Sequence, residues 1–299
     1  MRQDETRGML LALAGFALLS VGDAVVKTIA GEWSPIAVAA LRFTIGATVL
    51  AGLLLAREGR GALRPANPLL QIGRGVALAT ATLLMFSAIF VMPLAEATAL
   101  VFVAPVFTAL LSGPLLKEQV RPATWVACAL ALVGVGIILR PNLTNVGWLA
   151  FLPLGAALCM SLVTIANRAS AGQGSSLAMQ AYIAGVAAPA LIAAAFVGAA
   201  SGGPALAFGV PDWSVVGRCA LVALTASSAH WLVYLGTERA GASRIAPMTY
   251  VQLLVAAILG WLLFDDRPDL LTLLGALVII AAGLYLWRDG RLRAAAMPR

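Results

Sequence analysis

Three charged side chains sit where a chain seldom tolerates charge. Asp23 and Lys27 lie four residues apart, which puts both on one face of a helix. Arg42 follows within the next apolar stretch. An ionised side chain inside a lipid-spanning helix costs about 2.5–3.5 kcal/mol on insertion scales, so it turns toward a partner or a wet cavity. Counting inward at ~1.5 Å per residue, Asp23 and Arg42 reach similar depth, roughly 12–14 Å. Consecutive antiparallel helices would set them side by side as an ion pair. Such a pair would either bind a charged solute group or a proton, or hold the two helices together. Lys27 is shallower and can extend its amine to the surface. His230 is the only histidine, and an imidazole titrates near neutral pH, which suits proton coupling as well as a plain interhelical bond. Trp231, Tyr234 and Tyr250 offer faces for a planar solute or simple packing. Gln252, Asn167 and Gln180 are uncharged polar candidates. Glu96 reads as a solvated helix cap.

These residues need elements to carry them, and the elements are apolar. Ten stretches fit the ~20 residues that a helix needs to cross a bilayer: Gly8–Ala30, Pro35–Arg57, Ile72–Met92, Glu96–Leu116, Pro122–Leu139, Gly147–Arg168, Leu177–Val197, Val215–Leu235, Arg244–Phe264 and Leu270–Trp287. Hydrophobic residues make up 61% and charged residues 11%, against about 25% charged in soluble domains. The chain is expected to be an all-α integral membrane protein. The joints carry Gly31, Pro35, Pro65, Pro68, Pro93, Pro122, Pro141, Gly202, Pro204 and Pro268. Pro105, Pro153 and Pro189 fall within spans, where a missing N–H frees a carbonyl and kinks a helix. The stretch 198–214 is the longest loop. Cys128, Cys159 and Cys219 all lie in spans without metal spacing and read as small packing residues.

The net charge of +7 comes from loops between spans and does not indicate nucleic acid. Of the 20 Lys and Arg, 15 fall on one side if the amino terminus is cytoplasmic, Arg74 among them. Arg140, Arg218 and Arg267 fall on the other, and Lys27 and Arg42 within spans. Positive residues accumulate on the cytoplasmic side, so both termini are expected inside, in a cell (inner or plasma) membrane. The first span is too long, and too charged at Asp23 and Lys27, for a cleavable signal.

The halves echo each other. Ala95, Ala97 and Thr98 match Ala240, Ala242 and Ser243 at one offset. Glu118, Cys128 and Gly136 match Asp265, Gly275 and Gly283 at another, and Gly73-Arg74 matches Gly217-Arg218. Five spans per half force the second half to enter upside down. This predicts two inverted five-helix repeats, 8–140 and 141–290. Gly134 with Gly136, and Gly275 with Gly283, suit close helix contact.

The run Pro93-Leu94-Ala95-Glu96-Ala97 through Pro105-Val106-Phe107 to Glu118 resembles an EamA repeat, as does Ala246-Pro247-Met248-Thr249-Tyr250 through Gly260-Trp261-Leu262-Leu263-Phe264 to Gly283. The chain is similar to ten-helix members of the drug/metabolite transporter superfamily over about residues 8–290. It departs at Asp265-Asp266, where the family more often has Gly-Glu, and at Gln252, opposite Pro105. The resemblance implies a central cavity lined by spans 1–4 and 6–9, with spans 5 and 10 outside it. It also implies secondary transport of a small organic metabolite by alternating access. An amino acid or derivative leads, and an aromatic cofactor-like or nucleoside-like solute follows. Asp23, Arg42, His230, Trp231, Tyr234, Tyr250 and Gln252 are the expected substrate or coupling residues. No catalytic residue, metal or cofactor is expected. No P-loop, nucleophile elbow or H-E-x-x-H is present in the sequence. An intramembrane enzyme, with Asp23 and His230 as its pair, or a non-transporting scaffold are the remote readings. The expected partners are a small-molecule substrate and the lipid bilayer, with the chain a monomer or homodimer.

Overall fold

A computed structural model describes residues 2–116, 122–170, 172–201, 209–240 and 245–296. These residues are almost wholly helical, with no strand among them, and ten of their helical segments are long and apolar enough to cross a membrane. The helices are α1 (Arg2–Lys27), α2 (Pro35–Glu58), α3 (Pro68–Val91), α4 (Leu94–Val101), α5 (Ala104–Leu116), α6 (Pro122–Val146), α7 (Leu152–Ala169), α8 (Ser176–Ala200), α9 (Trp213–Ala240), α10 (Val251–Phe264) and α11 (Leu270–Ala296). Starts follow local chemistry. The Ser34, Asn67 and Ser175 side chains accept from backbone N–H groups of the first turns of α2, α3 and α8, groups the helix itself leaves unpaired. Proline at the first or second position of α2 and α3 loses nothing there.

The fourth and ninth spans are interrupted. Pro105 has no N–H for the Val101 carbonyl, and the helix breaks at Phe102–Val103 between α4 and α5. In the ninth span a 3-10 turn, Ala246–Tyr250, carries Pro247 at its start and leads into α10. Pro153, expected to kink the sixth span, sits in the first turn of α7 after the 3-10 turn Gly147–Phe151, where proline is harmless. Pro189 lies inside α8. Pro141 does not mark a joint: α6 runs on to Val146, and the chain turns at Gly147 with φ of 61°. Part of the 198–214 loop lies outside the described residues. So do Glu118, the other residues of 117–121, and 241–244 with Ala242, Ser243 and Arg244.

One face of the bundle, where α1 begins, is called the amino-terminal face. The end of α1 lies at the opposite face. α1 packs along α9, α2 along α8, α3 along α7 and α8, and α6 along α11; α10 meets α1 and α4. Small residues permit this closeness. A Cβ at Gly15 would lie 2.8 Å from the Ala229 carbonyl, and one at Gly134 would lie 2.7 Å from the Gly275 carbonyl. Gly136, expected to share that contact, has open space around it. Large apolar side chains such as Leu132, Phe196 and Leu277 point outward, as lipid-facing residues should. Trp148 and Trp213 stand exposed near helix starts, where interfacial aromatics collect. Cys128 and Cys219 are buried and Cys159 half-buried, all as free thiols.

Candidate functional site

A cavity of about 1170 Å³ begins at mid-depth among Asp23 of α1, Arg42 of α2, His230 of α9, and Tyr250 and Gln252 at the start of α10. It runs toward the amino-terminal face between α5, α7, α9 and α11, reaching Thr124, Arg168 and Asp289 near the helix ends there. The interruption in the ninth span positions its floor. The Ser20 hydroxyl donates to the Gln252 carbonyl at 2.8 Å, and the Gln252 amide donates to the Asp23 carboxylate at 3.4 Å. The Tyr250 ring meets Phe102 edge-on, with centroids 5.3 Å apart, so the two broken spans touch at the cavity wall.

Five of the seven expected residues therefore share one cavity. The expected Asp23–Arg42 ion pair is not formed. Asp23 takes its hydrogen bond from Gln252, and the Arg42 guanidinium lies over the rings of Phe43 and Phe86, at 4.7 and 5.5 Å from their centroids. Similar depth did not suffice, because Arg42 sits among aromatic faces that hold a cation without a carboxylate. Trp231 and Tyr234 line a second cavity of about 420 Å³, bordered by α2, α3, α8 and α9. Arg42 and His230 border both cavities. Span 10, expected outside, lines the main cavity through Gly283, Trp287 and Asp289, because the Tyr250 ring lies across Gly283 where any larger residue would collide. Spans 2 and 7 contribute mainly to the second cavity: of α2 only Arg42 reaches the main one.

The main cavity does not extend to the opposite face. Its lining ends near Asp23, Thr98 and Gln252, and beyond them lie three polar links. The Lys27 amine, expected to snorkel, instead pairs with Asp266, donates to the Met92 carbonyl at 3.1 Å and lies 5.0 Å from the Phe264 ring centroid. The Leu94 N–H also donates to Asp266, at 3.4 Å. Glu96 is buried rather than solvated and accepts from the Thr272 hydroxyl at 3.2 Å. Arg218 donates to both Glu32 carboxylate oxygens and, at 2.7 Å, to the Thr28 carbonyl. The hydrogen bond from Arg218 holds the Glu32 carboxyl below its usual range. The Lys27–Asp266, Glu96–Thr272 and Arg218–Glu32 links each join a residue before 100 to one after 210.

Arg74 escaped the sequence reading, which counted it among loop cations. It is buried, and its Nε donates to Asn167 Oδ1 at 2.9 Å. The available signal was its place inside the third span.

A family model for the EamA-like transporter family matches residues 6–140 and 147–288. The chain belongs to the EamA-like transporter family. Among relatives of this EamA-like chain, a riboflavin transporter of Rhizobium johnstonii is 29% identical over 79% of this chain and 75% of its own length. An S-adenosylmethionine uptake transporter of Rickettsia prowazekii is 24% identical over 93% and 92%. The pseudopaline exporter CntI of Pseudomonas aeruginosa is 28% identical over 94% and 96%. A solved crystal structure aligns with a TM-score of 0.61 over 94% of this chain and 96% of that one, at 21% identity, and so speaks for the fold alone. The EamA-like chain is thus a multi-pass membrane protein whose relatives are named transporters of small molecules.

Proposed function

We propose that this chain is a secondary transporter that carries a small organic metabolite across the cytoplasmic membrane by alternating access, with both termini cytoplasmic. One observation carries the reading: a cavity with polar groups at mid-depth reaches one face, while polar links between the two halves of the chain bar the other. In alternating access those links part when the opposite face opens. The Asp23–Gln252 end of the cavity then becomes reachable from outside.

The helix contacts support the halves 8–140 and 141–290 as inverted repeats. Exchanging each span for its counterpart five spans away carries α1–α9 onto α7–α3, and α2–α9 onto α8–α3. It carries α1–α10 onto α7 with the α4–α5 pair, and returns α2–α8 and α6–α11 to themselves. The broken spans four and nine also correspond. Such repeats and discontinuous helices recur in secondary transporters, whose sites lie near the midplane between the halves.

For cargo, the cavity of about 1170 Å³ lies just above the usual range of about 300–1000 Å³ for small-molecule sites and exceeds what a free amino acid fills. Together with the riboflavin and S-adenosylmethionine transporters among the relatives, this favours an aromatic cofactor-like solute over the amino acid that heads the sequence reading. An amino-acid derivative remains the second reading, because Asp23 and Arg42 supply opposite charges to one cavity. The test is uptake of labelled riboflavin, S-adenosylmethionine and amino acids into proteoliposomes holding the purified chain, with and without a pH gradient. Saturable uptake of one solute, reduced by Asp23→Asn, is expected. No movement of any organic solute across a wide panel would overturn the proposal.

A further inference from the structure

The second cavity has its own charge logic. Arg74 is 5% exposed and lines it. All its partners are neutral: Asn167 Oδ1 at 2.9 Å, Gln71 Oε1, and the Met179 sulfur at 3.4 Å. Gln71, 2% exposed, is itself held by the Met179 sulfur at 3.7 Å. These contacts occupy Nε and one end nitrogen. The other end nitrogen, Nη2, has no partner among the described residues. Among the described residues no carboxylate forms an ion pair with Arg74, and Arg42, the other guanidinium of this cavity, lies over aromatic rings rather than in hydrogen-bonding contact with Asp23. Among the described residues, no Asp or Glu lines the cavity at all.

A guanidinium removed from water and left without an anion is costly, and Arg74 is one; Arg42, which shares the main cavity with Asp23, adds a second positive charge to this one. The Gln71–Asn167–Met179 cradle does not neutralise Arg74; it fixes the plane of the fork. The open Nη2, held in a fixed direction by that cradle, can donate a charge-assisted hydrogen bond to a carboxylate or phosphate oxygen with little ordering left to do. The remaining walls suit an organic body. Trp231 and Tyr234 expose their rings here with centroids 6.5 Å apart, and Ser227, Gln180 and His230 add polar edges.

We propose that this cavity is a subsite for an organic oxyanion. Arg74 and Arg42 take the carboxylate or phosphate, and Trp231 and Tyr234 stack on an attached ring. Because Arg42 and His230 also border the main cavity, an anion seated here lies beside the path of the proposed cargo. That this anion is a transported solute or a part of one rests on the transport reading; that the site binds an oxyanion does not.

Equilibrium binding therefore tests it independently of transport. Indole-3-acetate, indole-3-acetamide and tryptamine are titrated calorimetrically into the purified full chain in phosphatidylcholine nanodiscs. The acetate is expected to bind at least about tenfold more tightly than the amide or the amine, a typical worth for charge-assisted bonds. Arg74→Gln should remove that advantage and leave the amide unchanged, whereas Arg74→Lys, which keeps charge but loses the planar group that Asn167 and Gln71 hold in place, should restore only part of it. Should Arg74→Gln fail to fold, Trp231→Ala, altering an exposed ring, should weaken acetate and amide alike. Equal binding of acetate and amide by the unaltered chain would overturn the proposal, as would full acetate affinity in Arg74→Gln. A phosphatidylglycerol that co-purifies with the chain, is lost in Arg74→Gln and blocks the acetate would assign the site to a lipid headgroup and overturn the solute. A chain that binds the acetate yet transports nothing would sink the transport reading and leave the subsite standing.

Discussion

Gly283 allows a direct test of how the cavity wall is built. It lies buried in α11, and a Cβ placed there would collide with the Tyr250 hydroxyl while lying 3.4 Å from the ring carbon that bears it. Gly283→Ala therefore has two opposing effects. Relieving a mid-helix glycine gains about 1 kcal/mol. Driving the hydroxyl of half-buried Tyr250 aside, with its ring held edge-on against Phe102, costs about 1–3 kcal/mol as overpacking. The collision is expected to win, so the single variant is destabilised by up to about 2 kcal/mol. In a Tyr250→Phe background the hydroxyl is gone and the nearest ring atom stands at ordinary contact. There the same substitution should be neutral or stabilising by about 1 kcal/mol. The sign reverses between backgrounds, and the coupling energy is about 1–3 kcal/mol, well above the scatter expected of independent sites. The assay is a double-mutant cycle of thermal unfolding in one detergent. Helix propensity cancels in such a cycle, so additive effects would mean that Tyr250 does not lie over Gly283 and that α11 does not form this wall.

Lys27→Met alone should destabilise the chain, because Asp266 would lose the cation that compensates it, whereas adding Asp266→Leu should recover part of the loss; equal melting losses for single and double variants would count against the pair. Gly134→Ala should lower the melting temperature by overpacking α6 on α11, while Gly136→Ala, with nothing near it, should raise it slightly; like behaviour of the two would refute this helix contact. For the Arg218–Glu32 link, the folded carboxyl titrates below its usual value, so its contribution is complete above about pH 4.3 and is lost only as pH falls through the lower folded value. Protection factors around residues 28–34, which remove the intrinsic pH dependence of amide exchange, should accordingly stay constant from about pH 8 to 5 and fall in stronger acid; a fall already near neutrality would exclude Glu32 as the controlling group.

Much of this architecture is legible in order along the chain. Apolar runs of bilayer length mark ten spans, because a lipid core admits helices and leaves composition little freedom. Charges inside those runs single out Asp23 and Arg42 as cavity residues for the same reason. Depth along a helix is also readable, being a count of residues. What the sequence alone does not carry is rotation about each axis and the choice of partner across the bundle. Asp23 and Arg42 share a depth, yet Gln252, 229 residues from Asp23, reaches the carboxylate first, and Phe86 helps hold the arginine. Lys27 meets Asp266 and Arg218 meets Glu32 because α1 lies between α9 and α10, a packing set by small residues facing each other over long separations. Arg74 looked like a loop cation because it is close to the end of its span; only the arrival of Asn167 and Met179 buries it. Local sequence determines which segments cross the membrane, since each crossing is a transaction between one helix and lipid, whereas pairing among polar groups depends on angles between helices that no single helix encodes.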